Sequence, residues 1–244
     1  CDPTLAHGAA DWRWARAGVL YNVAAALSYL ATSSDRGSAD GVRAACLLFQ
    51  QAAGTIAELR AVIKTAAWRR TPDLADEYLH GLEFLMLAQA QKCFFEKAVA
   101  DDKSHAIISQ LAAECHGLYE DACSRLGSRA LAAALPKEWL EVLEWNRLHF
   151  DGLQHYYAAS AHAAKREWGA QLSRLTHATN RTAEAVNLCR RAAKALQKQF
   201  RDAHTRCADA HTKAKHDNDL IYTAKVPPLA TLPKPTRAAM VKPV

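Results

Sequence analysis

The sequence contains few of the residues that interrupt helices. Glycine occurs only 10 times in 244 residues, and five of the eight prolines are crowded near the end, at Pro227, Pro228, Pro233, Pro235 and Pro243. Half of the residues are hydrophobic, and alanine is abundant. Because glycine and proline are the least favourable residues inside a helix, their scarcity favours an all-α fold over a sheet.

Motifs of several functional classes are also missing. No apolar run approaches the roughly 20 residues that a bilayer-spanning helix needs. There is no glycine-rich phosphate loop, no nucleophile elbow and no HExxH pair. Glu96, Asp101 and Asp102 are close in sequence, but acidic residues are also preferred at helix caps and turns. We therefore expect no membrane-spanning helix, no enzymatic activity and no cofactor.

The cysteines show no disulfide or metal-binding spacing. None of the seven forms a CxxC pair, and most lie among Ala and Leu, where a thiol behaves as a small hydrophobic group. This pattern favours a reducing, cytosolic compartment. No secretory signal is visible, and the chain opens at Cys1 without a methionine, so we expect a fragment of a longer protein.

The net charge of +6 is mild and has two interpretations. The densest basic stretch, residues 181–215, could contact a membrane surface or nucleic acid, but its charges alternate with Ala and Leu as on an ordinary solvated helix face. We expect no nucleic-acid partner. His204, Cys207 and His211 share one helix face, yet only His216 is near enough in sequence to be a fourth zinc ligand, so we interpret them as a polar face and expect no metal.

Apolar residues recur every three or four positions along most of the chain, which predicts a series of amphipathic helices. The first carries a stripe of Val19, Val23, Ala26 and Leu30. The last long segment could be one helix or two helices broken near Asn180, and the proline-rich end should be an extended tail lying on the helices. The predicted helices cover residues 11–32, 39–64, 73–99, 103–126, 137–165 and 167–215, and the tail covers residues 216–244.

Residues 81–122 form the centre of the chain, as two helices joined by an acidic turn at Asp101 and Asp102. The first is apolar almost all round, which is typical of a buried helix. In an antiparallel pair Phe94 should lie level with Ile107 and Leu111, which share a face. Phe95 and Ile108 point about 100° away. One set should therefore enter the core, and the other could form a second core face or an exposed apolar patch.

Several segments in this order resemble the Bro domain family, which includes Alix, HD-PTP-type phosphatases, rhophilins and fungal Bro proteins. The most specific is MLAQAQKCFFEKA at residues 86–98. The others are VLYNVAAALSYLA at 19–31, CLLFQQAAGTIAEL at 46–59, LPKEW at 135–139, DNDLIYTAKVPPL at 217–229 and MVKP at 240–243. Together they cover most of the chain, which is similar to the C-terminal two-thirds of such a domain.

The resemblance implies a boomerang-shaped, tetratricopeptide-like array of antiparallel helices. It also implies a non-enzymatic scaffold that binds the C-terminal amphipathic helix of an ESCRT-III subunit of the Snf or charged multivesicular body protein type. Such a protein would be cytoplasmic, recruited to endosomes and active in multivesicular-body sorting and membrane scission. The alternative is a rhophilin-like adaptor of small-GTPase signalling. A third possibility is peripheral contact of the basic face at residues 181–215 with an endosomal membrane.

The family's hydrophobic patch falls by position on Phe94, Ile107 and Leu111, with Met240 where the family has Leu. Arg43 matches a basic position at the patch edge, and Ala39 stands where Alix commonly has an acidic residue. Tyr222 is similar to a tyrosine that some animal members offer to Src-type kinases, so it is a candidate phosphorylation site. A tyrosine beside Ile221 is more often an apolar anchor for the tail.

Overall fold

The protein is described by a computed structural model that covers residues 12–65, 71–128, 131 and 135–244. Seven long helices dominate it, and no strand occurs in these ranges. Single helical turns at Pro72–Leu74, Cys189–Arg191, Asn218–Tyr222 and Leu229–Thr231 lie between or after them. The helices are α1 Trp12–Ser33, α2 Ala39–Lys64, α3 Asp76–Ala100, α4 His105–Leu126, α5 Lys137–Ala164, α6 Trp168–Leu188 and α7 Lys194–Asp217. The described residues exclude the predicted helix start at Asp11. They also exclude residues 66–70, which contain Trp68, Arg69 and Arg70, and part of the connection before LPKEW.

The helix bounds differ from the periodicity in four places. The predicted extended tail begins later than residue 216, because residues 216 and 217 still belong to α7 and residues 218–222 form a π-helical turn. A 3₁₀ turn at Pro72–Leu74 precedes α3, and Asp102, with φ 50°, turns the chain before α4 begins at His105. The last long segment does consist of two helices, but the break lies at Cys189–Ala193 instead of near Asn180. There the side chain of Gln197 donates to the backbone carbonyls of Arg190 and Ala192.

The chain divides into two compact units. The first unit comprises Cys1–Phe94, Asp121–Leu140 and Met240–Val244, and the second comprises Phe95–Glu120 and Glu141–Ala239. Each therefore contains residues that are far apart in sequence. The sequence predicted a helix that is buried on all sides, and α3 is covered along most of its length: residues 78–98 are buried or half-buried and include no exposed side chain. None of the helices in the described ranges has the length and apolarity needed to span a membrane.

In the first unit, α1 packs on α2 through its smallest residues. Ala17, Ala24 and Ala31 are buried, whereas Val19, Val23 and Leu30 of the predicted stripe are 61%, 41% and 53% exposed. The stripe of larger apolar residues therefore does not form the contact between α1 and α2. Small side chains let two helix backbones approach closely, which explains why the alanines occupy the contact.

A partly buried ion cluster links α2 to the start of α3 in the first unit. The guanidinium of Arg60 donates to Asp76 Oδ1 at 3.0 Å and to Glu83 Oε2 at 2.6 Å. Hydrogen bonding to Arg60 holds the pKa of the Asp76 carboxyl below its usual range. Such charge-assisted bonds compensate the removal of both Arg60 and Glu83 from water.

The second unit has an aromatic core built on α5. Phe150 is fully buried, packs edge-on against Phe95 at 5.3 Å between ring centroids, and stacks on Tyr119 at 5.8 Å. Phe200 of α7 meets the ring of His149 at 4.4 Å. Because edge-on and offset contacts are favourable beyond the area that they bury, these pairs fix α5 as the axis of the unit.

Gly152 allows α5 and α6 to approach closely in this unit. A Cβ atom at Gly152 would lie 2.6 Å from Thr182 Cγ2 and 3.0 Å from the backbone oxygen of Ala178. We expect Gly152→Ala to lower the free energy of unfolding by about 1–3 kcal/mol, although alanine is the better helix former, because overpacking against a backbone carbonyl cannot be relieved by a rotamer change.

The test of this prediction is urea unfolding of Gly152→Ala beside Gly18→Ala. A Cβ atom at Gly18 of α1 meets nothing within 4 Å, so that control should be neutral or slightly stabilising. Equal midpoints for the two variants would contradict the close approach at Gly152.

The C-terminal tail lies along the helices of both units. In the second unit, Arg174 donates to the Pro233 carbonyl at 2.6 Å, Arg237 pairs with Glu114 at 2.7 Å, and the Ala238 N–H donates to the Gln110 carbonyl. In the first unit, the Val244 N–H donates to the Gln50 carbonyl. The carbonyl of Val244 would lie 2.1 Å from a Cβ atom at Gly54, so glycine is required at that contact.

Candidate partner-helix site

Phe94 belongs to a compact apolar cluster in the first unit. It is half-buried and packs, together with Val42, Met86 and Val241, against a buried set of residues from α1, α2 and α3. The buried set comprises Ala31, Ala45, Cys46, Phe49, Ala90 and Cys93. This cluster brings the tail residue Val241 to the same group of side chains as Phe94 and so connects the tail to the predicted site.

Two glutamine side chains hold the tail beside this cluster. Gln91 Oε1 accepts the Met240 N–H at 3.1 Å, and Gln50 Oε1 accepts the Lys242 N–H at 3.2 Å. Gln91 is fully buried, whereas the side chain of Met240 remains 51% exposed. The glutamines thus fix the backbone of the tail and leave Met240 accessible.

Gln50 and Gln91 were not among the residues predicted for the site. In the sequence, Gln91 was visible only as a polar interruption of an otherwise apolar helix. Because a buried amide must find hydrogen-bond partners, that interruption was the available signal. The partner could not be named, since Met240 lies 149 residues further along the chain.

We expect Gln91→Met to release Met240 selectively. Methionine has a similar volume but no acceptor, so the Met240 N–H loses its partner at a cost of about 1–3 kcal/mol. Amide hydrogen exchange should show faster exchange at Met240 and little change at Lys242. In the matched variant Gln50→Met the order should reverse. Unchanged protection at Met240 in Gln91→Met would mean that the amide bond does not hold the tail.

Arg43 is exposed and is not fixed by its surroundings. Its guanidinium lies 3.3 Å from Asp40 Oδ1, and the two side chains are 75% and 93% exposed. An ion pair of this kind contributes little to stability. Arg43 can therefore leave Asp40 for another carboxylate with little loss of stability.

In the second unit, the structure distinguishes the two sets of apolar residues near the turn. Phe95 and Ile108 are 7% and 3% exposed, so they are the set that enters the core. Of the alternative set, Ile107 is 47% exposed, whereas Leu111 is only 5% exposed. Ile107 is therefore accessible to a partner, and Leu111 is mainly a packing residue.

Tyr222 stacks on Trp168, with ring centroids 4.1 Å apart and planes 14° from parallel. The tyrosine ends a single π-helical turn that follows α7, and Thr223 after it has φ 45°. The side chain of Asn218 both donates to the Ala224 carbonyl and accepts the Ala224 N–H. The stacked ring supports a role for Tyr222 as an anchor of the tail, and its modification stays a prediction.

The thiols and imidazoles considered for metal binding have other neighbours. Cys207 is fully buried, and burial raises the pKa of its thiol to about 11. His204 Nδ1 lies 3.1 Å from the Thr182 hydroxyl. The six cysteines of the described residues form no disulfide with one another, and five of them are buried; Cys1 lies outside the described residues.

A polar cluster that the sequence analysis missed lies between α5 and α6 in the second unit. Asp151, His155 and His177 place their ligand-type atoms within 4.8 Å of one another. Residues 151 and 155 are one helical turn apart, but His177 comes from the next helix, so spacing could bring together only two of the three members. Asp151 Oδ2 lies 3.1 Å from His177 Nε2 and 3.2 Å from Arg181 Nε.

The hydrogen bonds of this cluster do not suit a cation. Arg174 donates through Nη1 to His155 Nδ1 at 3.0 Å and through Nε to His162 Nε2 at 2.8 Å. A neutral His155 that accepts at Nδ1 carries its proton at Nε2, the nitrogen that faces Asp151, and therefore offers no lone pair there. Burial, with His177 as the next contribution, lowers the pKa of His155 to about 3.

These features define a helical array that resembles a binding protein: a half-buried apolar cluster with a docked tail in one unit, and an accessible isoleucine in the other. The whole of residues 6–244 matches the BRO1-like domain family, and the chain belongs to that family.

Relatives in this family are similar over nearly the whole chain. The pH-response regulator protein palA/RIM20 of Emericella nidulans is 34% identical over 94% of this chain and 27% of the relative. The Apoptosis-linked gene 2-interacting protein X 1 of Caenorhabditis elegans is 30% identical over 96% of this chain and 26% of the relative. The chain thus spans about a quarter of the length of these curated relatives.

Solved structures agree with this assignment. The ALIX BRO1 CHMP4C complex superposes with a TM-score of 0.86 and 27% identity, over 95% of this chain and 63% of that one. A second Bro1 domain, whose structure addresses endosomal targeting, superposes with a TM-score of 0.77 at 16% identity, over 93% of this chain and 61% of that one, and supports the fold alone. The all-α architecture expected from the sequence is confirmed.

Proposed function

We propose that this chain is a non-enzymatic adaptor domain that binds the C-terminal amphipathic helix of an ESCRT-III subunit of the Snf or CHMP type. In this proposal it acts in endosomal and multivesicular-body sorting, as a cytoplasmic protein that its partner recruits to endosomes. Membership of the family and the likeness to the BRO1 domain in complex with CHMP4C support an ESCRT-associated role.

The observation that carries the proposal is the exposure of Ile107. The side chain is 47% exposed in the first turn of α4, while its neighbour Ile108 is 3% exposed. An amphipathic helix binds by burying apolar residues spaced three and four apart against an apolar surface. Burial of the free isoleucine side chain would contribute to such binding, with about 1.5–3 kcal/mol for a complete burial.

We assign the remaining contacts to the residues that match the family's patch. In the first unit, Phe94 and Met240 would supply apolar contacts, and Arg43 would pair with a carboxylate at the edge of the partner helix. In the second unit, Leu111 would mainly hold its helix in the core, and Ile107 would be the contact residue. Tyr222 remains a candidate for modification outside this set.

The direct test is a titration of a labelled C-terminal helix peptide of a CHMP-type subunit, measured by fluorescence anisotropy. We expect saturable binding to the chain. A peptide with the same composition but its apolar positions moved off one face should not bind. Equal binding of both peptides would show non-specific adsorption, and absence of binding to the folded chain would contradict the proposal.

A further inference from the structure

Arg174 of α6 is a buried cation, and no carboxylate of the described residues pairs with it. The residue is 3% exposed, and burial lowers the pKa of its guanidinium. Its three acceptors carry no negative charge: Nε donates to His162 Nε2 at 2.8 Å, Nη1 to His155 Nδ1 at 3.0 Å and Nη2 to the Pro233 carbonyl at 2.6 Å. Because a buried cation without a counter-ion is costly unless it is hydrogen-bonded, these three bonds keep the guanidinium in place.

Two of the three acceptors are imidazoles that can accept only while they are neutral. An imidazole accepts at the nitrogen that carries no proton. The proton of His155 is therefore at Nε2, which lies 3.9 Å from Asp151 Oδ1. The proton of His162 is at Nδ1, which donates to Glu167 Oε2 at 2.6 Å. A second proton on either ring would turn the acceptor into a donor and place two positive charges in contact.

The third acceptor connects this group to the tail. Pro233 lies in the middle of the segment Leu229–Arg237, which we call the strap. The strap forms one wall of a cleft of about 640 Å³ in the second unit, and α4, α5 and α6 form the other walls. The hydrogen bond from Arg174 therefore holds the middle of the strap against α6, and its loss would free that part of the wall.

The groups that face His155 mostly oppose a further positive charge on its ring. They come from α4, α5, α6 and the strap, and comprise His116, Asp151, His177, Arg174 and Lys234, with Glu120 on the wall of the same cleft. Asp151 is already bonded to His177 and Arg181. Burial, followed by His177, lowers the pKa of His155 to about 3. His162 faces Glu167 on one side and Arg174 on the other.

We propose that Arg174, His155 and His162 form an acid-sensitive latch, which holds the strap at neutral pH and releases it when the imidazoles bind protons. The released state binds a proton that the latched state does not bind, so a falling pH favours release. Release opens the cleft on the side of the strap. The latch lies wholly within the second unit and goes beyond the proposed binding of a helix, so its failure would leave that proposal intact.

The test is amide hydrogen exchange of the 244-residue chain from about pH 7.5 to about pH 5.5, corrected for the intrinsic pH dependence of exchange. The reporter is the Leu232 N–H, which donates to the Leu229 carbonyl in a single helical turn. An isolated turn does not persist in a free chain, so release exposes this amide. Protection at Leu232 should fall about tenfold or more, as expected for at least one histidine that titrates near pH 6.5 after release.

The matched variant is His155→Asn/His162→Gln. Its two amide oxygens replace Nδ1 and Nε2 as acceptors for Arg174 but do not titrate, so protection at Leu232 should not change with pH. Parallel pH profiles of the variant and the parent chain would overturn the inference. If circular dichroism shows that the double variant does not fold, the two single variants replace it. At least one of them should then show a smaller fall than the parent chain, and a full fall in both would overturn the inference.

A low concentration of urea separates release of the strap from unfolding of the whole unit. Release exposes little surface, so exchange at Leu232 should respond weakly to urea. The amide of Phe150 in the core of α5 should exchange more slowly and respond strongly, because it requires unfolding. Equal rates and equal urea responses at Leu232 and Phe150 would show that acid unfolds the unit as a whole, and no separate latch would then exist.

Discussion

Ile107→Asp should abolish binding of the ESCRT-III helix peptide and leave the fold intact. The substitution removes the apolar contact of isoleucine from the interface. It also adds the cost of removing a carboxylate from water. Hot-spot residues of this kind cost about 2–4 kcal/mol, which is roughly a 30- to 1,000-fold loss of affinity. Fluorescence anisotropy with the labelled peptide measures this loss directly.

The substitution is a clean test because of its place in the helix. Residue 107 is the third residue of α4, and the Ile107 N–H faces the Ser104 hydroxyl. A negative charge in the first turn of a helix interacts favourably with the helix dipole. Since the isoleucine is also 47% exposed, the substitution removes little core packing. The free energy of unfolding should therefore change by no more than about 0.5 kcal/mol.

The adjacent residue provides a matched contrast. Ile108 has the same side chain and is 3% exposed in the core of the second unit. Ile108→Asp buries an unpaired carboxylate and should unfold the domain or cost several kcal/mol. Leu111→Asp belongs to the same group, because Leu111 is 5% exposed, and it would not separate loss of binding from loss of fold. Full peptide binding by Ile107→Asp would place the helix site elsewhere.

The second large effect is a loss of stability in mild acid through His155. The side chain is 8% exposed, and its folded pKa is about 3, mainly because of burial. In the unfolded chain a histidine titrates near pH 6.5. As the pH falls below that value, the unfolded state binds a proton that the folded state does not bind. The free energy of unfolding therefore falls by about 1.4 kcal/mol per pH unit until the folded pKa is reached.

Urea unfolding at a series of pH values measures this effect. Between pH of about 6 and about 4.5 the parent chain should lose about 2 kcal/mol more than His155→Asn does. Asparagine cannot titrate, and its side-chain oxygen replaces Nδ1 as the acceptor for Arg174. Asp151 does not contribute to the loss of stability in this pH range, because a carboxyl with a lowered pKa loses its stabilising contribution only below about pH 4.

Two other histidines contribute in the same direction. Burial also lowers the pKa of His80 and of His211, so the variant should reduce the slope without removing it. His216→Gln, which replaces an exposed histidine at the end of α7, controls for the general effect of removing an imidazole. If His155→Asn and the parent chain have parallel pH profiles, His155 is not the group responsible.

The helices were predictable because their signals are local. Periodicity predicted six helical spans, the last of which consists of two helices in the structure, and the apolar character of α3 predicted that residues 78–98 would have no exposed side chain. The orientation of α1 was not predictable, since its stripe of valine and leucine faces solvent while three alanines make the contact with α2. The break at residues 189–193 contains neither glycine nor proline, so no helix-breaking residue predicted it.

The site was predictable only in part, for a related reason. The family's motif assigned Phe94, Ile107 and Leu111, but spacing could not show that Leu111 is buried and Ile107 exposed, because burial depends on residues that are distant in sequence. The glutamines that hold the tail and the cluster of Asp151, His155 and His177 depend on residues from separate segments. Contacts of that kind have no signature in a single stretch of sequence.

The discontinuity of the first unit has a consequence for the order of events during biosynthesis. Its final segment, Met240–Val244, is the last part of this sequence to leave the ribosome, and it joins residues made long before, with 192 positions between Gln50 and Lys242. Domains tend to fold as units from the N-terminus while synthesis continues. Here the early helices can form, but Gln50 and Gln91 can accept hydrogen bonds from the tail only after the tail has been synthesised. The accessible Met240 is therefore in place only when the whole segment has been translated, and nascent chains would not present a finished surface to a partner.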